Sequence, residues 1–67
     1  MSELDAFRAD VEAFIEKHGL SPTRFGREAV GDAMFVSQLR SGREPRSSVR
    51  ERVKAFMRNA AQAAEAA

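Results

Sequence analysis

Guanidinium groups carry most of the chemical capacity of this 67-residue chain, and they concentrate in its central part. Residues 20–59 hold nine basic side chains, eight of them Arg, against four acidic ones, a balance of +5. Residues 1–19 hold five acidic and two basic side chains, a balance of −3. The planar fork of an arginine matches phosphate oxygens and the edges of bases. This polarised charge indicates a polyanion as partner, although a solvated surface of mixed charge explains it equally well.

Catalytic chemistry finds no support among the remaining side chains. His18 is the one histidine, cysteine is absent, and no paired carboxylates suggest an acid–base site. No glycine-rich loop follows a strand, and His18 with scattered carboxylates offers too few ligands for a metal ion. We therefore predict that the protein is not an enzyme and uses no cofactor, metal or small-molecule substrate.

The elements that position these groups are predicted to be helices, because no run of residues alternates with a period of two. The first helix covers about residues 3–18, with Ser2 as its N-cap and Gly19 just beyond its end. The last helix starts after a cap at Ser47 or Ser48. Its apolar stripe comprises Val49, Val53, Phe56, Met57 and Ala60. Residues 60–67 are rich in alanine, so we expect a helical extension or a frayed tail there.

Two short helices joined by a tight turn are predicted between these two. Ser21 and Pro22 are a strong start signal for a helix over about residues 22–30. Gly26 within it costs roughly 1 kcal/mol against alanine, which indicates close approach of another helix. Gly31 and Asp32 form the turn, and Asp32 is expected to accept from the N–H of residue 34 or 35. A third helix then covers about residues 33–41, with Phe35 more plausible than Met34 in the core.

Ten residues of this central segment form an ungapped pattern. They are Leu20, Ser21, Phe25, Gly26, Ala29, Val36, Leu39, Gly42, Arg43 and Pro45. The pattern resembles the phage-repressor/Cro-like helix-turn-helix family of bacterial regulators, in which alanine stands where this chain has Gly26. The flanking helices extend the likeness over most of the chain.

The resemblance implies an all-α, repressor-like domain of four to five helices over residues 1–59, with the helix-turn-helix at about 21–41. It also implies sequence-specific binding of double-stranded DNA by a transcriptional regulator, with the third helix in the major groove. Base contacts would come from Ala33, Met34, Ser37 and Gln38, of which Gln38 can pair with adenine through two hydrogen bonds. Phosphate contacts would come from Thr23, Arg24, Arg27, Arg40, Arg43 and Arg46.

One short helix supplies too little contact for specific recognition, so a homodimer on a pseudo-palindromic site is expected. The acidic N-terminus lacks the apolar run of a signal peptide, and no stretch is long enough to span a membrane. A cytoplasmic, nucleoid-associated location is therefore expected.

Two other functions remain open at this point. The chain could be a small helical adaptor that binds proteins and keeps the fold without binding DNA. It could also bind DNA without sequence preference. The last helix carries four further basic residues. We expect them to form a solvated face rather than a second DNA contact; they are Arg50, Arg52, Lys54 and Arg58.

Overall fold

The computed structural model describes residues 2–66, with side chains described as far as Ala63. These residues form four α-helices and no strand. The helices are α1 (Glu3–His18), α2 (Pro22–Val30), α3 (Phe35–Arg40) and α4 (Ser47–Ala66). The all-α prediction is confirmed, and the bounds of α1 and α2 are those expected.

Local capping explains why the first two helices begin and end where the sequence predicts. The Ser2 hydroxyl accepts from the Asp5 N–H at 3.2 Å, and the Ser21 hydroxyl accepts from the Arg24 N–H at 3.0 Å. Gly19 and Gly31 follow the two helices with φ of 63° and 70°, a left-handed conformation that glycine adopts without a Cβ clash.

The third helix is shorter than predicted, since it begins at Phe35 instead of residue 33 and ends at Arg40. The Asp32 carboxylate accepts from the Met34 N–H at 2.9 Å, as expected, but its carbonyl also accepts from the Phe35 N–H at 3.2 Å. These two bonds close a turn over residues 32–35 and leave Ala33 outside the helix.

The fourth helix begins one residue earlier than a cap at Ser47 requires, so the predicted serine cap is wrong. The Arg50 N–H donates to the Arg46 carbonyl at 2.9 Å, which makes Arg46 the capping residue. The helix continues through the alanine-rich segment to Ala66.

The core lies where α2 packs against α3 and α4 and where the apolar face of α1 covers them. Its buried members are Phe7, Val11, Ile15, Phe25, Ala29, Phe35, Val36, Leu39 and Val53. Phe25 lies at its centre, fully buried, with its ring edge-on to that of Phe56 at 5.5 Å. Burial of such a side chain contributes about 1.5–3 kcal/mol, so Phe25 is a principal anchor of α2.

Gly26 permits the close junction between α2 and the turn that follows it. A Cβ at this position would overlap the Asp32 carbonyl oxygen and lie 3.2 Å from the Cβ of Phe35. The predicted close approach is thus confirmed, although the nearest atom belongs to the turn and not to α3 itself.

Candidate nucleic-acid interface

The outer side of α3 and of the turn before it carries the four predicted base-contact residues. Met34 is 56% exposed and Ser37 is exposed, while Ala33 and Gln38 are half-buried. Phe35, Val36 and Leu39 point the other way into the core. The prediction that Phe35 is buried and Met34 exposed is therefore confirmed.

Gln38 is held in place by the loop that follows α3. Its Oε1 accepts a hydrogen bond from Arg43 Nη1 at 3.1 Å. Gly42, with φ of 102°, turns the chain so that Arg43 comes back beside α3. Because a carboxamide oxygen has two lone pairs, this bond orients the Gln38 side chain and leaves one acceptor site and both amide hydrogens available.

Arg40 has a partner within the protein. Its Nε and Nη2 donate to the two carboxylate oxygens of Glu12 on α1, each at 2.7 Å. This hydrogen-bonded pair with Arg40, assisted by the charges of Arg40 and Arg8, lowers the pKa of Glu12 against a smaller opposing effect of desolvation. Arg40, predicted as a phosphate contact, thus joins the end of α3 to α1 with its charge already balanced.

The remaining predicted phosphate contacts lie on α2 and not in the loop that follows α3. Thr23, Arg24 and Arg27 are all exposed. Arg24 Nε donates to Glu28 Oε2 one turn along the helix at 2.8 Å, and its side chain remains 68% exposed. Ion pairs this exposed are readily exchanged, so Arg24 keeps access to an external anion.

A cleft forms between α3, the loop of residues 43–46 and the start of α4. We call it the arginine cleft; its volume is about 380 Å³. Its apolar lining comes from Val30, Phe35, Leu39, Pro45 and Val49, and its polar lining from Asp32, Gln38, Arg43, Glu44, Arg46 and Arg52. Three predicted site residues therefore meet here, namely Gln38, Arg43 and Arg46.

Arg52 lies in the same cleft, although the sequence interpretation placed it on a solvated face. Val49 and Arg52 are three residues apart on α4, which puts them on one side of the helix. The sequence shows that spacing, but it does not show that the packing of α4 against α2 places this side of α4 beside the cleft.

A second cleft lies between α1 and α4, with a volume of about 340 Å³. We call it the acidic cleft. It is lined by Glu3, Ala6, Phe7, Asp10, Arg50, Glu51 and Lys54. None of the predicted site residues lies in it.

Other chemistry is sparse in the described part of the chain. His18 stacks on Phe14 with ring centroids 4.1 Å apart, which gives the histidine a packing role. The described side chains, those of residues 2–63, include no group of three or more that could hold a metal ion. No helix in this range combines the length and the apolar content needed to cross a bilayer.

Comparisons of the chain with protein-family models, curated proteins and solved structures gave no significant match.

Proposed function

We propose that this protein binds double-stranded DNA with sequence specificity and regulates transcription, with α2, the turn and α3 acting as a helix-turn-helix. The observation that carries the proposal is the outer side of α3. There, polar and apolar side chains lie beside Arg43 and Arg46 of the next loop, both of which are exposed. Such a combination serves base reading at the centre and phosphate binding at the edge.

The size of α3 suits insertion into a major groove. Six residues at 1.5 Å per residue give a helix of about 9 Å, which spans roughly three base pairs. Its inner side is fixed in the core by Val36 and Leu39, so the outer side is presented rigidly. A rigid helix loses little conformational entropy when it binds.

Base reading falls to Gln38, Ser37 and Met34 in this proposal. Arg43 orients the Gln38 amide, which favours the paired hydrogen bonds that a carboxamide forms with adenine. Met34 and the half-buried Ala33 offer apolar contact to a thymine methyl group. Ser37 can donate to or accept from either kind of base pair.

Phosphate binding falls mainly to Arg43 and Arg46, with Thr23, Arg24 and Arg27 on the α2 side. Arg40 contributes less than the sequence interpretation implied, because Glu12 already neutralises its guanidinium. We assign Arg40 the role of holding α3 against α1.

Two copies of the chain are needed for a specific site. A reading helix that spans roughly three base pairs discriminates too weakly among the sites of a genome. A two-fold dimer with α3 helices in successive major grooves would contact half-sites about 34 Å apart. With six to eight phosphates neutralised per dimer, the slope of log K against log salt would be about −5 to −7.

A protein-binding adaptor is the second candidate, and Met34 is the observation that favours it. Its side chain is large, apolar and 56% exposed at the centre of the proposed reading face. Exposed methionines are common at surfaces that bind other proteins. Binding to protein partners would depend little on the phosphate charge of DNA, so the two candidates separate on salt dependence.

The decisive experiment selects bound fragments from a pool of random duplexes and titrates the best sequence by fluorescence anisotropy at several salt concentrations. We expect an enriched pseudo-palindromic motif and a steep salt slope. Salt-dependent binding without an enriched motif would indicate nonspecific DNA binding. Binding that is absent or insensitive to salt would favour the adaptor.

Gln38→Ala tests the reading residue itself. We expect it to change the selected motif at one position of each half-site and to cost about 1–3 kcal/mol on the wild-type sequence. Gln62→Ala makes the same chemical change on an exposed residue near the end of α4 and should leave the motif unchanged. An unaltered motif with Gln38→Ala would remove this residue from the reading set.

A further inference from the structure

We infer that the arginine cleft binds one sugar–phosphate unit of the DNA backbone and that Arg52 on α4 is one of the phosphate contacts. This inference rests on the proposed function and extends the interface from the helix-turn-helix segment to α4.

Two separate segments bring three arginines to this one cleft. Arg43 and Arg46 come from the loop after α3, and Arg52 comes from the second turn of α4. Among the side chains of residues 2–63, none of these three arginines forms an ion pair within 4 Å. By contrast, Arg40 and Arg24 do have carboxylate partners.

The two acidic groups in the cleft compensate these charges in part. The Asp32 carboxylate is occupied by the Met34 N–H at 2.9 Å, so it serves the turn before α3. Glu44 is exposed and lies in the loop between Arg43 and Arg46. Three arginines against two carboxylates leave a charge of +1, which favours an anion.

The lining of the cleft fits a ligand with an apolar body and an anionic group. Pro45, Val49 and the edge of Leu39 supply apolar surface next to the guanidinium groups. A deoxyribose with its phosphate has this composition. The volume of about 380 Å³ is at the lower end of the range of ligand pockets, about 300–1,000 Å³.

The position of Gln38 favours a backbone phosphate over a free ligand as the occupant of the cleft. This residue lines the cleft and also lies on the outer side of α3, so the cleft is continuous with the proposed reading face. A duplex that meets Gln38 with a base edge carries its sugar–phosphate chain past the mouth of the cleft. The geometry therefore favours a phosphate of the same duplex over a separate small molecule.

The test compares Arg52→Ala with Arg58→Ala on the sequence selected by the wild-type protein. Both arginines are exposed and lie on α4, but Arg58 is outside the cleft. Loss of one phosphate contact should lower the salt slope by about 0.9 and the affinity by roughly eightfold per subunit at about 0.1 M salt. Arg58→Ala should change affinity less than about twofold, and Arg52→Lys should keep the slope because lysine also binds phosphate.

A second arm titrates the 15N-labelled protein with inorganic phosphate and with thymidine monophosphate and follows its amide and arginine NMR signals. Weak binding in the cleft together with the Arg52→Ala loss on DNA supports the proposal. Tight binding of the mononucleotide with unchanged DNA affinity in Arg52→Ala would assign the cleft to a free ligand and overturn it.

Failure of this inference can be distinguished from failure of the proposed function. If the wild-type protein binds DNA and the Arg52 and Arg58 variants behave alike, Arg52 is not a contact, while the proposed function stands. If the wild-type protein binds no duplex, both fail together. Thermal melting of each variant establishes that a loss of affinity does not come from unfolding.

Discussion

The arginine cleft and the acidic cleft are nearly equal in volume, about 380 and 340 Å³, and both border α4. Their charges are opposite. Three arginines and two carboxylates give the first cleft +1, whereas two bases and three carboxylates give the second −1. Clefts of similar volume on one helix therefore differ in the sign of their charge, and in the proposed complex with DNA the positive cleft is the one that would face the polyanion.

The acidic cleft would also contribute to the proposed DNA complex. Its carboxylates, Glu3 and Asp10 on α1 and Glu51 on α4, repel phosphate and would disfavour docking of a duplex on that side. A charge that is unfavourable to the wrong orientation adds specificity without adding contacts. Substitutions that change the charge of one cleft only test whether the two clefts differ in their effect on DNA binding.

The largest effect is expected from reversing the charge of the arginine cleft with Arg43→Glu and Arg46→Glu together. Removal of two phosphate contacts at roughly eightfold each predicts about a 60-fold loss of DNA affinity per subunit at about 0.1 M salt, before repulsion is added. Arg50→Glu with Lys54→Glu makes an equal change of charge in the acidic cleft. Anisotropy titration should find only a few-fold loss there, and equal losses would mean that net charge alone drives binding.

The next largest effect is a loss of stability, expected from a substitution where α2 meets the turn that leads to α3. Gly26→Ala gains roughly 1 kcal/mol of helix propensity, but its methyl group would overlap the Asp32 carbonyl oxygen. Overpacking usually costs about 1–3 kcal/mol, and this overlap is with backbone that cannot rotate away, so the upper value of about 3 kcal/mol applies. After subtraction of the propensity gain, the variant should be less stable by about 2 kcal/mol. Urea unfolding measures this difference directly.

Gly31→Ala is the matched control, since nothing lies within 4 Å of a Cβ there and only its φ of 70° opposes a side chain. It should cost about 1 kcal/mol, less than Gly26→Ala. A larger loss at Gly31 would mean that backbone conformation, and not the contact with the turn, makes glycine necessary in this segment.

The parts of the fold that the sequence predicts well depend on neighbouring residues. The hydroxyls of Ser2 and Ser21 accept from the N–H three residues ahead. Gly19 and Gly31 end their helices in a left-handed conformation, with their N–H groups bonded to carbonyls of the last turn. Both signals can be read within four residues of the helix end. The bounds of α1 and α2 were predictable for this reason.

The start of α3 was less predictable because two local structures compete there. Residues 33 and 34 can form a first helical turn by propensity, but the Asp32 side chain and carbonyl take the next two N–H groups for a turn. The preference for one or the other depends on how closely Gly26 lets the turn approach α2. That is a tertiary effect, which the pattern of apolar residues does not carry.

The candidate site also contains residues whose proximity follows from the sequence and residues that only tertiary packing brings together. Gln38, Arg43 and Arg46 lie close together in sequence, so their meeting in one cleft follows from the short loop. Arg52 joins them only because α4 packs against α2, which places the start of α4 across the cleft from α3. The partner of Arg40 is 28 residues away on another helix, and no spacing rule connects Glu12 with it.

The smallest change in stability is expected from loss of the ion pair between Glu12 and Arg40, which links α1 to the end of α3. Glu12→Gln removes one partner of the two 2.7 Å bonds and should destabilise the protein by less than Gly26→Ala, because both side chains are partly exposed. Glu16→Gln removes the same charge from the same helix, where the described residues offer it no ion pair. It should leave the melting temperature nearly unchanged.

The pH dependence distinguishes the pair from a simple charge effect. The pKa of Glu12 is lowered in the folded protein, so its stabilising contribution is complete above the ordinary glutamate pKa of about 4.3. That contribution is lost as the pH falls through the lowered folded-state pKa. The stability difference between wild type and Glu12→Gln should therefore be present at pH 7 and vanish in acid, as followed by urea unfolding across the range. A difference that persists in acid would assign Glu12 a packing role, and Arg40 would then return to the phosphate contacts.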